Sequence, residues 1–216
     1  MTFNGLRHPF TMLAATFFVV ASLVSAGITP AKADKAAGDT PEAFVQNVAD
    51  EVITIVRNPD LTLGQKQKQF LALFDDNADV KRIAIFALGQ YARLPTPEQR
   101  EEYLELVRQF VAEVYVRRLN EYSGETIDVK SHSSKGKNTL VQSSLSGGTL
   151  SEPVAVEWWL LNDDDGGYKV FDLNVAGIWL AQEQRAQFTS IIGNNGGKFE
   201  ALLSHLRKQI TLAERD

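Results

Sequence analysis

Few residues in this chain have the type and spacing that bond-making chemistry needs. Asp163-Asp164-Asp165-Gly166 invites a calcium reading. The downstream bidentate Glu of an EF-hand loop is missing, so a solvated hairpin turn is expected instead. Gly193-Asn194-Asn195-Gly196-Gly197 has neither the strand–loop–helix setting nor the Lys-Ser/Thr of a phosphate cradle, and it reads as a helix-to-helix turn. His132 and His205 stand far apart in the chain, and there is no Cys, so no zinc set can be assembled. Ser133, Ser143, Ser144 and Ser146 lack a nucleophile-elbow setting. No Asp/Glu pair is singled out by spacing as an acid and base. The expectation is a protein that is not an enzyme, with no catalytic residue, no metal and no cofactor.

What the chain offers instead is apolar area, so the elements that arrange it matter most. The stretch from Leu88 to Gly124 holds the longest. Thr96 can cap a helix, Pro97 fits its first position because the missing N–H costs nothing there, and Gly124 supplies a stop. Tyr103, Val107, Phe110, Val111, Val114, Tyr115, Leu119 and Tyr122 recur at three- and four-residue steps, which predicts one apolar stripe along a helix crossing the whole domain. Before it, Thr40-Pro41-Glu42 opens a helix bearing Phe44, Val45, Val48, Val52, Ile55 and Val56. Thr62 opens a second helix, and Asp79 caps a third that carries Ile83, Phe86, Ala87 and Leu88.

After Gly124 the period changes from near 3.6 to 2. Strands are expected from Ile127 to Ser131, Thr139 to Leu145, Val154 to Leu161 and Tyr168 to Val175, joined by turns at 134–138, 146–148 and 162–167. Helical patterns return from Trp179 to Ile192 and from Lys198 to Leu212. Helices, a four-stranded antiparallel meander and more helices make a single α+β domain. The strand Val154–Leu161 is apolar on both faces, with Val156, Trp158 and Leu160 on one and Trp159 and Leu161 on the other. Such a strand is covered by helices on both sides, or it forms a concave sheet that closes over an acyl chain.

Several runs carry a family likeness. Leu88-Gly89-Gln90-Tyr91-Ala92-Arg93, Thr96-Pro97-Glu98-Gln99-Arg100, Tyr115, Leu119 and Tyr122-Ser123-Gly124 resemble the MlaC, or toluene-tolerance, family. The likeness continues in Tyr168-Lys169-Val170-Phe171-Asp172-Leu173, Gly177, Arg185-Ala186-Gln187-Phe188 and Gly196. It departs at Ala92, where many members carry Trp, and at Ala176–Leu180. The resemblance implies a cone-like α+β fold with helices on the sheet and an apolar cavity between them. It also implies a periplasmic carrier of phospholipid, or another membrane lipid, that meets an inner-membrane ABC lipid transporter and an outer-membrane lipoprotein complex and works as a monomer. A hopanoid or sterol-like lipid is the alternative cargo, since Trp158, Trp159 and Trp179 offer flat surfaces. An enzyme for a small hydrophobic substrate on a similar scaffold is the remaining one. The expected lining is Phe110, Val114 and Tyr115 of the crossing helix, Phe86 and Tyr91 before it, and Val156, Trp158, Leu160, Phe171 and Leu173 of the sheet.

Composition sets the outer bounds. Arg7 and His8, the apolar run Met12–Val24 and Ala31-Lys32-Ala33 read as a signal peptide over 1–33, too short for a comfortable membrane span. That leaves 34–216 as the lipid-binding domain of an exported, periplasmic protein cleaved near Ala33. Residues 1–33 hold two basic residues and no acidic one, so removing them takes the formal charge from −5 to −7. An acidic chain lacks the clustered Lys and Arg that nucleic acid requires.

Overall fold

The computed structural model describes residues 40–119, 124–163 and 166–213, with the side chains of Val114, Tyr115, Arg117–Leu119 and Ala213 left aside. The proposed signal peptide, the expected end of the long helix at Tyr122, and Asp164-Asp165 lie outside the described residues.

Four helices come first, each begun by the residue whose side chain suits a helix start. In α1 (Pro41–Arg57) Thr40 accepts a hydrogen bond from the Ala43 N–H. In α2 (Leu63–Asn77) Thr62 and Gln65 bond each other's backbone N–H groups reciprocally. In α3 (Val80–Ala87) Asp79 accepts from Arg82. A 3-10 turn at Gly89–Tyr91 leads to α4 (Pro97–Leu119), which opens on the same reciprocal box between Thr96 and Gln99. At about 1.5 Å per residue, the 23 residues of α4 span roughly 35 Å.

The sheet is a meander in chain order, β1 (Glu125–Lys135), β2 (Asn138–Gly147), β3 (Val154–Asn162), β4 (Tyr168–Val175) and β5 (Ile178–Trp179), antiparallel throughout. It therefore has five strands, not the four expected. The fifth is two residues long and follows a two-residue turn in which Ala176 and Gly177 both have positive φ, 52° and 88°. That is the turn whose twist matches a hairpin. Helices α5 (Leu180–Asn194) and α6 (Phe199–Ala213) complete the chain.

Two apolar clusters hold these layers. One is helical: Tyr103, Val107 and Phe110 of α4 meet Phe188 and Ile192 of α5 and Leu202, Leu203 and Leu206 of α6, with Ala84 and Leu88 from α3 and its end. Within it the Tyr103 hydroxyl donates to the Ala84 carbonyl at 2.8 Å. The other joins α1 to the sheet. Helix α4 differs from the single-stripe expectation, because Ala112 and Val116, on the side away from Tyr103 and Phe110, are buried as well. Helices α2 and α6 both pack along α4, so more than one of its sides faces protein. Arg108 ties α4 to Asp75 of α2, and Arg207 ties α6 to Glu102 of α4.

Candidate functional site

Period-2 alternation in β3 sends Val156, Trp158 and Leu160 to one face and Trp159 and Leu161 to the other, as the sequence implies. On the first face the cross-strand partners are Ser143, Val141 and Thr139 of β2, with Leu173 opposite Trp158 and Val170 opposite Leu160 in β4. Helix α1 lies over this face and packs Phe44, Val45, Val48 and Ala49 against Val141, Val156, Trp158 and Leu160. Ile127, Val129, Leu145, Tyr168, Val170 and Leu173 surround them, half-buried.

The polar groups of this face are satisfied internally. The Trp158 indole N–H donates to Ser143 Oγ at 3.0 Å, and that hydroxyl donates to the Val156 carbonyl at 3.0 Å. The indole is thereby fixed and presents only its apolar surface. What remains is a mainly aliphatic surface, edged by the rings of Phe44 and Tyr168.

Helix α1 is tethered at its ends by polar contacts. Glu42 in its first turn meets His132 Nδ1 of β1 at 2.6 Å, and Lys66 Nζ of α2 donates to the Val56 carbonyl in its last turn at 2.7 Å. The hydrogen bond from His132 holds the Glu42 carboxyl below its ordinary value.

The opposite face is built differently. Two residues of β4, Phe171 and Asp172, oppose Trp159, because the register shifts there by one residue. This bulge sends Phe171 to the Trp159 side, where the two rings meet edge to face at 5.0 Å. Phe86 of α3 packs on Phe171 at 5.3 Å, and Trp179 on Trp159 at 6.0 Å. Asp172 is 4% exposed, and its Oδ1 accepts from the N–H groups of Leu173 and Ala181. It serves as the cap of α5 from a strand, since Trp179 at the helix start has no side-chain acceptor. Burial pushes its carboxyl up, against the pull of those N–H donors.

The expected lining is thus divided among three places. Val156, Trp158, Leu160 and Leu173 stay together beneath α1. Phe171 and Phe86 belong to the far face, a correction imposed by the bulge and by where α3 packs. Phe110 and Tyr91 join the helical cluster, Phe110 against Phe188 at 6.3 Å and Tyr91 at its margin. The side chains of Val114 and Tyr115 lie outside the described residues. Phe44, Val45, Val48 and Ala49 also pack on this face, where the sequence reading had not placed them, although the spacing of the first three had marked the apolar side of α1.

A pocket of about 370 Å³ opens between α2 and α4, but Gln67, Lys68, Gln109 and Glu113 are among its walls, and Gln67 Nε2 donates to Glu113 Oε2 there. Amides and charges suit an aqueous cleft rather than an acyl slot. Among the described residues no cluster of His, Cys, Asp and Glu could hold a metal, and Asp163 instead closes a turn with Gly166 and Gly167. No described helix is long and apolar enough to cross a membrane.

Comparison with known proteins supplies the remaining evidence. The intermembrane phospholipid transport system binding protein MlaC of Haemophilus influenzae is 20% identical over 203 residues, covering 91% of each chain. A phospholipid-binding protein from Ralstonia solanacearum, solved in complex with a phospholipid, shares the fold with a TM-score of 0.69 and 26% identity. The likeness covers 82% of this chain and 99% of that one. The family model described as MlaC protein matches residues 46–208. With that match running from α1 into α6, and with helices on an open antiparallel meander as in the Ralstonia protein, the chain belongs to the MlaC family.

Proposed function

We propose that this protein is a non-catalytic carrier that holds the acyl chains of a glycerophospholipid on the aliphatic face of its sheet and moves the lipid between membranes. The observation that carries the reading is the face itself: Val156, Trp158, Leu160 and Leu173 form an apolar floor with no unpaired polar group, closed by the single helix α1. Each buried methylene contributes about 0.8 kcal/mol, so such a surface retains a two-chain lipid without specific chemistry. The phospholipid held by the Ralstonia relative supports the same cargo.

Acyl chains enter where α1 meets the sheet. The protein acts as a monomer in the periplasm after loss of residues 1–33, and it receives lipid from or delivers it to an inner-membrane ABC transporter and an outer-membrane lipoprotein complex. A ring-bearing lipid is less well supported. Of the three tryptophans, Trp158 alone lies on the aliphatic face, while Trp159 and Trp179 pack on each other on the far side.

Native mass spectrometry of protein purified from cells, followed by lipid extraction, tests the reading. One glycerophospholipid per chain is expected. A lipid-free protein, or one holding a small polar metabolite, overturns it. Intact mass in the same experiment should place the N-terminus near Asp34.

A further inference from the structure

On the face of the sheet away from α1, a row of aromatic rings runs into positive charge. Phe86, Phe171, Trp159 and Trp179 follow one another in edge-on contact, and Arg185 of α5 sets its guanidinium carbon 4.9 Å from the centre of the Phe86 ring. Arg82 stands one turn before Phe86 on α3, and residues four apart share a helix face. Its guanidinium reaches back to Asp79, so a second cation lies on the same side of α3, toward the helix start.

These cations are at most partly neutralised. Arg185 is exposed and makes no ion pair among the described residues. Arg82 meets Asp79, yet its side chain is 63% exposed, and Asp79 is also engaged as the cap of α3. From Val80 to Pro97 the chain has no acidic residue and three basic ones, Lys81, Arg82 and Arg93, in a protein of formal charge −5. Glu183 precedes Arg185 by two residues, a spacing that places it on another side of α5. Phe86, Trp159 and Trp179 are half-buried, so part of each ring faces solvent beside the cations.

Guanidinium groups beside half-exposed indoles match the layering of a lipid–water interface. Arginine pairs with phosphate oxygens, while tryptophan rings settle at headgroup level, and the Trp159 N–H is already taken by Asn138, at 2.9 Å. An acidic remainder would be repelled by the same surface, so contact confined to this patch is oriented, weak and reversible. We propose that this face of α3, α5 and the sheet rests on a phospholipid bilayer, with Arg82 and Arg185 on lipid phosphates and Trp159 and Trp179 in the interfacial layer. The inference rests on the carrier reading, and it leaves α1, on the other side of the sheet, free of the membrane.

The test is co-sedimentation of the mature chain with vesicles of phosphatidylethanolamine and phosphatidylglycerol, and with phosphatidylcholine alone, across a salt series. Lipid content is measured in parallel by native mass spectrometry. Binding to the anionic vesicles is expected, weaker on phosphatidylcholine, and falling as salt rises. Reversing both charges with R82E/R185E should weaken vesicle binding by about tenfold or more, whereas R185K should keep it. The milder R82Q/R185Q, checked for an unchanged melting curve, separates docking from folding and should weaken binding less than the reversal. Wild-type protein that stays in solution at low salt, or charge-reversed protein that binds as well as wild type, overturns the proposal. Retention by native membranes through these two arginines, without any vesicle binding, also overturns it and assigns the face to a membrane protein. Protein that docks but carries no lipid leaves this proposal standing and removes the carrier reading.

Discussion

The two faces of the sheet are covered in contrasting ways. Beneath α1 the contacts are mostly aliphatic, with one tilted ring pair, Phe44 on Tyr168 at 5.8 Å, and the one indole there has its N–H consumed by Ser143. Beneath α3 and α5 they are aromatic and directional: rings meet edge to face, a guanidinium lies over Phe86, the Trp159 indole donates to Asn138, and Asp172 caps α5. Apolar contact that asks for no particular orientation can accept chains of varying length and unsaturation, because its free energy follows buried area. Edge-on rings and charge-assisted hydrogen bonds lose their value when partners shift, so they fix one arrangement. One face is held chiefly by buried area, the other by fixed geometry.

The largest effect should come from damage to the helical cluster that holds α5 behind the aromatic face. Phe188 is 1% exposed and packs on both Tyr103 and Phe110. Phe188→Ala should cost about 3–5 kcal/mol of stability, read by urea denaturation, with lipid content per folded molecule unchanged. Loss of lipid at intact stability would erase the distinction between the two regions.

Next is the close approach of the 3-10 turn to α5. Gly89 has φ +52°, and a Cβ there would sit 2.9 Å from Arg185 Nε and from Thr189 Cγ2. Gly89→Ala should cost about 1–3 kcal/mol and displace Arg185 from the Phe86 ring. A melting curve identical to wild type would show that α5 yields at no cost.

A third experiment sharpens the comparison through matched enlargements. Val48→Trp overfills the seam between α1 and the sheet, and Phe110→Trp overfills the helical cluster. Each should destabilise by about 1–3 kcal/mol, but only Val48→Trp should lower the lipid-to-protein ratio. The opposite pattern would move the acyl chains to the helical cluster.

The smallest effect concerns the tether of α1. His132 holds the Glu42 carboxyl below its ordinary 4.5, so the stabilising contact is complete above that value and is lost as pH falls through the lower folded value. Glu42→Gln should flatten this acid limb by less than about 1 kcal/mol, since both side chains are partly exposed. It should also speed lipid transfer to acceptor vesicles if α1 is the wall that moves. An unchanged transfer rate would place the opening elsewhere.

Much of the fold was legible because its signals are local. Thr40, Thr62, Asp79 and Thr96 cap the helices they were expected to cap, since a short polar side chain reaches only the N–H groups two or three residues ahead. The alternation in β3 placed Val156, Trp158 and Leu160 on one face, because strand geometry has a period of two. The family likeness was legible for the same reason, being carried by short runs such as Leu88–Arg93 and Tyr168–Leu173. The tertiary structure decided the rest. One extra residue at the β4 bulge turned Phe171 away from Leu173, and no reading of period alone locates such an insertion. The cap of α5 came from Asp172, eight residues before the helix begins, because the β4–β5 turn folds the chain back on itself. Which helix closes the aliphatic face was likewise a matter of packing. Helices α1 and α4 both carry apolar residues at the right spacing, and only the docking of α1 on the sheet decides which of them covers this face.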